Sequence, residues 1–162
     1  MLFHATLLLL LSWFGQAPQT QVEVTEWVVP WENSRPRDPY YADKHHIWFV
    51  GQREHYVGLL DPETGKFKRY DLDKGTGPHN VVTGPEGYVW YAGNRNAHIG
   101  RLDPKTGKIK KFPMPNPAAR DPHTMTFDMK GSMWFTVQGG NFIGRLTPNL
   151  EEISLIPVPT SR

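Results

Sequence analysis

Three times in this chain a tryptophan stands in the same short apolar context: Ile47-Trp48-Phe49, Val89-Trp90-Tyr91 and Met133-Trp134-Phe135. The steps between them are 42 and 44 residues. Val57-Gly58-Leu59-Leu60-Asp61 returns as Ile99-Gly100-Arg101-Leu102-Asp103 and again as Ile143-Gly144-Arg145-Leu146-Thr147. Asp61-Pro62-Glu63-Thr64-Gly65-Lys66 returns as Asp103-Pro104-Lys105-Thr106-Gly107-Lys108. A period of roughly 40 to 50 residues, filled with short apolar runs between Gly/Pro turns, is the signature of a β-propeller blade. The expected fold is therefore all-β, built from four-stranded antiparallel blades.

The middle repeat shows how one blade reads. Asn80–Thr83, Tyr88–Ala92, His98–Leu102 and Lys108–Pro113 are four short strands separated by Gly84-Pro85-Glu86-Gly87, Gly93-Asn94-Arg95-Asn96 and Asp103-Pro104-Lys105-Thr106-Gly107. Those turns carry residues that accept φ > 0 or bond their own backbone. Applied along the chain, the period places blades at about 38–72, 77–115 and 121–158, with about twelve strands and no helix after residue 22. Trp48, Trp90 and Trp134 are expected in equivalent buried positions. Residues 25–31 read as an outer strand without its own blade, and Ser154–Arg162 returns to the same phase. About three blades are thus present. Closed propellers have four to eight, so this is either part of a larger propeller or an arc that closes by self-association through its open edges.

Composition narrows the classes. Fifteen Gly and fifteen Pro suit a turn-rich β protein of one domain. Eighteen Lys and Arg stand against sixteen Asp and Glu and are scattered through turns, so no nucleic-acid footprint is expected. Without cysteine, disulfides and thiolate chemistry are excluded within the chain. Residues 1–17 differ from the rest: the leucine run 7–11, Trp13-Phe14 and small residues at 15 and 17 read as a signal peptide too short to span a bilayer. The expected location is secreted or periplasmic.

Two histidines follow prolines in matching positions, Gly77-Pro78-His79 and Asp121-Pro122-His123. Both precede an inner strand, on loops that rim the central channel, where convergent polar groups make a ligand site. An architectural reading stands beside this one, because a repeated Pro-His also serves as a blade-building element. His45 and His46 point to opposite faces of an extended segment and read as a solvated turn. His55 and His98 align roughly before Gly58 and Gly100, and solvent exposure or a local hydrogen bond accounts for them.

The run Trp134-Phe135-Thr136, then Gln138-Gly139-Gly140-Asn141-Phe142-Ile143-Gly144-Arg145, with the Pro113-Met114-Pro115 linker and the Pro-His pairs, resembles the streptogramin B lyases, also called virginiamycin B lyases. The resemblance covers residues 22 to 162. It implies a seven-bladed propeller that opens a cyclic depsipeptide by elimination across an ester C–O bond. It also implies a histidine base and a magnesium ion held by two carboxylates. Carried onto this chain, His123 takes the catalytic position, His79 the substrate-positioning one, and Asp121 the first metal carboxylate. The second carboxylate position falls on Val137, with Gly93 its counterpart one blade earlier. The first blade offers Pro39-Tyr40 in place of Pro-His.

Three functions compete at this point. One is a lyase or a partial, inactive copy of one. Another is a non-catalytic secreted propeller that binds a small molecule, peptide or protein at its funnel face. A lactonase-type calcium propeller is disfavoured because the inner loops carry Pro-His and Pro-Tyr instead of converging carboxylates.

Overall fold

The structure, a computed structural model, describes residues 22–149 and 151–159. The expected signal segment at 1–17 lies outside them. Twelve strands form three separate four-stranded sheets. The first holds β1 (Pro36–Asp43), β2 (His46–Gly51), β3 (Tyr56–Asp61) and β4 (Lys66–Asp71). The second holds β5 (Val81–Thr83), β6 (Val89–Gly93), β7 (His98–Leu102) and β8 (Ile109–Pro113). The third holds β9 (Pro122–Phe127), β10 (Met133–Val137), β11 (Phe142–Thr147) and β12 (Glu152–Pro157). Each sheet is an antiparallel meander, and no helix occurs among the described residues. None is therefore long and apolar enough to cross a membrane.

The Trp-aromatic dipeptide explains how the sheets stack. Neighbouring residues on a strand face opposite sides of the sheet, so each blade sends its tryptophan one way and the next aromatic the other. Trp48 packs with Val89, Tyr91 and Leu102 of the second sheet. Trp90 packs with Met125, Met133, Phe135 and Leu146 of the third. The ring on the far face needs room on the neighbouring strand, and a glycine supplies it. Gly58 pairs with Phe49, Gly100 with Tyr91 and Gly144 with Phe135. A Cβ at any of these glycines would run into the paired ring.

Two expectations need correction. Residues 25–31 belong to no sheet. Their alternation comes from side-chain packing instead: Trp27, Val29 and Trp31 lie against Phe49, Tyr56, Leu60 and Phe67 on the first sheet's outward face. Trp31 meets Tyr56 edge-on at 4.8 Å between ring centroids. Trp134 is also less buried than its counterparts. Trp48 and Trp90 are 3% and 0% exposed, but Trp134 faces away from the second sheet and is only half-buried. Its indole N–H donates to Asp128 (2.9 Å), and Arg145 lies over its ring.

His98 is a third correction. Strand register matches it to Tyr56 and Phe142, not to His55, and it is 3% exposed. Its ring covers Gly93 just as Tyr56 covers Gly51. Nε2 lies 3.3 Å from the Tyr91 hydroxyl. Burial, assisted by nearby Lys111, pushes its pKa down to about 4.

The unequal burial predicts unequal costs. Trp90→Ala should lose about 3–5 kcal/mol of stability in urea unfolding, and Trp134→Ala less than half of that. Equal losses would contradict the packing described. The unfolded chain protonates His98 near its ordinary pKa while the folded chain resists until about 4. Stability is therefore complete above about pH 6.5 and declines as pH falls toward 4. Between pH 7 and 5 this group should cost about 2 kcal/mol. His98→Tyr, which installs the first blade's residue, should flatten that part of the pH profile.

Candidate functional site

The rim is built from an X-Pro-Y element that enters each sheet in the same way. Arg35, Gly77 and Asp121 precede proline and carry φ of 52°, 50° and 56°. A residue before proline is driven out of the right-handed helical region, and here all three occupy the left-handed one. The loop after the second strand then bonds back to them. Gln52 N donates to Arg35 O (3.2 Å) and Gln138 N to Asp121 O (3.0 Å). Arg53 N, Arg95 N and Gly139 N donate to Ser34 O, Thr76 O and Arg120 O.

This register corrects the first blade. Pro36 pairs with Gly51 as Pro122 pairs with Val137. The counterpart of His79 and His123 is therefore Arg37, not Tyr40. The signal was present in the sequence, since each of the three residues stands eleven positions before its blade's tryptophan. A bulge in β1 between Arg37 and Tyr40 obscured it. The same irregularity gives Asp38 a φ of 49° and brings its Oδ2 to 3.1 Å from His79 Nδ1.

Bulk is exchanged across the rim loops. In the second blade Gly77 leaves space that the Arg95 side chain fills. In the third the small residue is Gly139, and a Cβ there would stand 2.6 Å from Asp121 Oδ2. Asp121 and Gly139 thus invert the Gly77 and Arg95 arrangement at matching positions.

His79 and His123 come together as the sequence suggested. Their ring centroids are 3.4 Å apart with planes tilted by 39°. Two amide side chains hold the adjoining blades in this register. Asn80 Oδ1 accepts from Met125 N (3.0 Å), and Asn94 Nδ2 donates to Pro122 O (3.2 Å). His79 is 7% exposed. Asp38 is within ion-pair distance of Nδ1 but lies off the ring's N–H direction, so Nδ1 has no aligned hydrogen bond. His123 is half-buried, and its Nδ1 lies 3.0 Å from Thr124 Oγ1. Beside the rim, β1, β5 and β9 border a half-open cleft of about 420 Å³ lined in part by Asp38, Asn80 and Met125.

Burial lowers the pKa of both imidazoles. His123 and Arg37 push His79 down further, against the pull of Asp38. For His123, Asp38 and Asp121 oppose the loss while Arg37 adds to it. Both shifts favour the neutral ring, the state a general base requires.

The expected magnesium does not fit this chain's residues. Magnesium takes six oxygen ligands in near-octahedral order. Val137 is 2% exposed and packed in the core with Trp90 and Met125. Asp121 is turned against Gly139. Among the described residues no three His, Cys, Asp or Glu side chains converge to hold a metal. Two other described histidines stand apart from the rim, His46 paired with Asp43 (2.8 Å) and His45 facing Glu63 (3.3 Å), while His55 braces it, its Nδ1 accepting from Gly77 N (3.0 Å).

Comparison with known proteins gives the family and the fold. The chain matches the virginiamycin B lyase family over residues 15–162. A selenomethionine-substituted virginiamycin B lyase from Staphylococcus aureus shares 31% identity and superposes with a TM-score of 0.77, over 84% of this chain and 45% of that one. A streptogramin B lyase shares 34% identity, with the same TM-score and the same two coverages. A catalytically inactive S. aureus virginiamycin B lyase with quinupristin shares 30%, with a TM-score of 0.77, over 85% and 46%. The chain thus spans less than half the length of these solved relatives. Hydrazine synthase from Kuenenia stuttgartiensis, at 15% identity and a TM-score of 0.67, shares the fold alone. No curated protein sequence matches.

The site predicts how His79 titrates. In NMR, Asp38→Asn should lower its pKa, because a stabilising anion is lost. His123→Gln should raise it, because a competing cation and a desolvating ring are both removed. Movement in the opposite sense in either variant would refute the assignment of these neighbours.

Proposed function

Because the chain belongs to the virginiamycin B lyase family, we propose that its rim is a lyase-type ligand site with His123 as base and His79 as the positioning group, without the metal anchors for turnover by this chain alone. The contact between His79 and His123 across two blades carries this reading. A cyclic depsipeptide or related ester would lie over the rim and the cleft beside it.

When bound in such a site, magnesium supplies charge stabilisation at the ester carbonyl. The protein's own part is different. With Nδ1 of His123 engaged by Thr124, Nε2 is the nitrogen that would take a proton from carbon. The C–H electron pair then forms the C=C bond, the ester C–O bond breaks, and its oxygen leaves with the carboxylate. His79, anchored between Asp38 and His123, would orient the substrate. With Val137 in the core, charge developing on that carbonyl lacks a metal partner from this chain, a loss of several kcal/mol in the transition state.

Export through residues 1–17 and self-association through the third sheet's outward face belong to the same proposal. The half-buried Trp134 and Ile156, 46% exposed, lie on that face.

The second reading is a non-catalytic propeller that binds a ligand or protein. The repeated X-Pro-Y element favours it, because architecture repeats and catalysis rarely does. Quinupristin is the discriminating probe. The purified chain should bind it, His123→Ala should weaken binding about tenfold, and ring opening with magnesium should stay at background. Magnesium-dependent ring opening abolished by His123→Ala would show that the anchors are complete. Absence of any binding would favour the second reading.

A further inference from the structure

The outer strand of each sheet is an open edge, and the three edges are not defended alike. β4, β8 and β12 each pair on one side only. Strand register matches Lys68 and Lys110 to Ser154, because they pair with Leu59, Arg101 and Arg145 in turn. The next position holds Arg69, Lys111 and Leu155, opposite Gly58, Gly100 and Gly144. Two consecutive basic residues thus guard both β4 and β8. Long charged side chains on an edge strand keep further strands from adding to it. β12 has neither, and its one charge is Glu152 at its start.

The register also places the backbone groups of that edge. Val158 N donates to Asn141 O (3.0 Å), one step beyond the pairing of Phe142 with Pro157. In an antiparallel ladder every second residue bonds the same neighbour. Ile156, Ser154 and Glu152 therefore bond β11, and Ile153, Leu155 and Pro157 direct their backbone groups away from the sheet. Pro157 has no N–H to offer. Among the described residues no hydrogen bond reaches the outward N–H or C=O of Ile153 or Leu155.

This strand is complementary to itself. An antiparallel second copy, related by a twofold axis at Ser154, would bring Ile153 opposite Leu155, and the two would exchange N–H and C=O groups in both directions. Glu152 would then stand opposite Ile156, which keeps the acidic groups apart. A twofold at Leu155 would face Ile153 with Pro157 and lose a donor. The same operation on β4 or β8 would set Lys68 or Lys110 against its own copy, and like charges directly opposite repel. Ile153 and Leu155 already pack on the core shared by the second and third sheets, so pairing would carry that apolar row across the junction.

We propose that β12 is a self-association edge: two copies of this chain join through antiparallel β12 strands into one continuous sheet, with the twofold axis at Ser154. A single strand pair buries too little surface for a permanent dimer, so the association is weak and reversible. The contact leaves the third sheet's outward face and the His79–His123 rim uncovered. It is therefore separate from the ligand site and from stacking through that face.

Sedimentation of the whole chain over a concentration series reads the association, and amide exchange followed by NMR reads its location. A monomer–dimer equilibrium is expected. Exchange at the Ile153 and Leu155 amides should slow as concentration rises, while Ser154, whose N–H bonds β11, should not respond. Leu155→Pro removes one outward donor from each copy at an edge position that tolerates proline. It should dimerise about tenfold more weakly than Leu155→Ala, which loses the same side chain and keeps the N–H. The proposal fails if the chain stays monomeric throughout, or if the folded Pro and Ala variants associate equally. Association that leaves the wild-type Ile153 and Leu155 amides unprotected would assign the contact to the outward face and overturn it as well. Quinupristin binding should be the same in both variants, which keeps this outcome apart from that of the rim.

Discussion

Each interface between sheets rests on one contact: a tryptophan from one blade faces the second aromatic of the next blade's dipeptide, and that aromatic lies over a strand glycine. The glycine lets the ring lie flat against backbone, so the sheets approach closely enough for the tryptophan to lose all solvent contact. Everything functional depends on that closeness. The 3.4 Å approach of His79 and His123 requires neighbouring first strands to be held side by side. Their own hydrogen bonds, from Asn80 and Asn94, are too few to impose it.

The two end faces of the arc are treated differently. The first sheet's outward face is covered by Trp27, Val29 and Trp31, with Arg69 stacked over Trp31 and Tyr56. The third sheet's outward face carries Trp134, Ile143 and Ile156 beside Thr124, Thr136 and Arg145, and its indole nitrogen and guanidinium have local partners. The chemistry of each face follows from what covers it. An aromatic surface is tolerable where an aromatic segment lies on top of it.

Much of this was legible in the sequence because the period survives in residues that packing cannot exchange. Trp48, Trp90 and Trp134, the strand glycines and the Asp-Pro turns gave the blades and the convergence of His79 with His123. What escaped was local. Pro39-Tyr40 imitates the Pro-His element so well that Arg37 was overlooked, and only strand pairing reveals the bulge that separates them. Asp38 owes its place beside His79 to that bulge, which no spacing rule anticipates. Residues 25–31 alternate as a strand does, yet alternation reports a buried face and not a hydrogen-bonded edge. The local hydrogen bond expected of His98 is present, to the Tyr91 hydroxyl, but its burial and its equivalence to Tyr56 depend on register.

The exchange of bulk between Gly77 with Arg95 and Asp121 with Gly139 bears on how such a chain tolerates change. In the second and third blades each pair shares one small volume, whereas the first blade carries Arg35 and Arg53 at the matching positions, both turned out to solvent. A designer who mixed these two blades and took the larger residue at both positions would have to turn both side chains outward, as the exposed Arg35 and Arg53 are, and one who took the smaller at both would leave the loop hollow. Blades of this protein should therefore be transplantable as intact units, carrying both halves of the pair, and resistant to mosaic construction within a repeat. The covariation that deep mutational scanning would find at these four positions is a steric one, set by whether a side chain turns inward over the left-handed backbone or out to solvent.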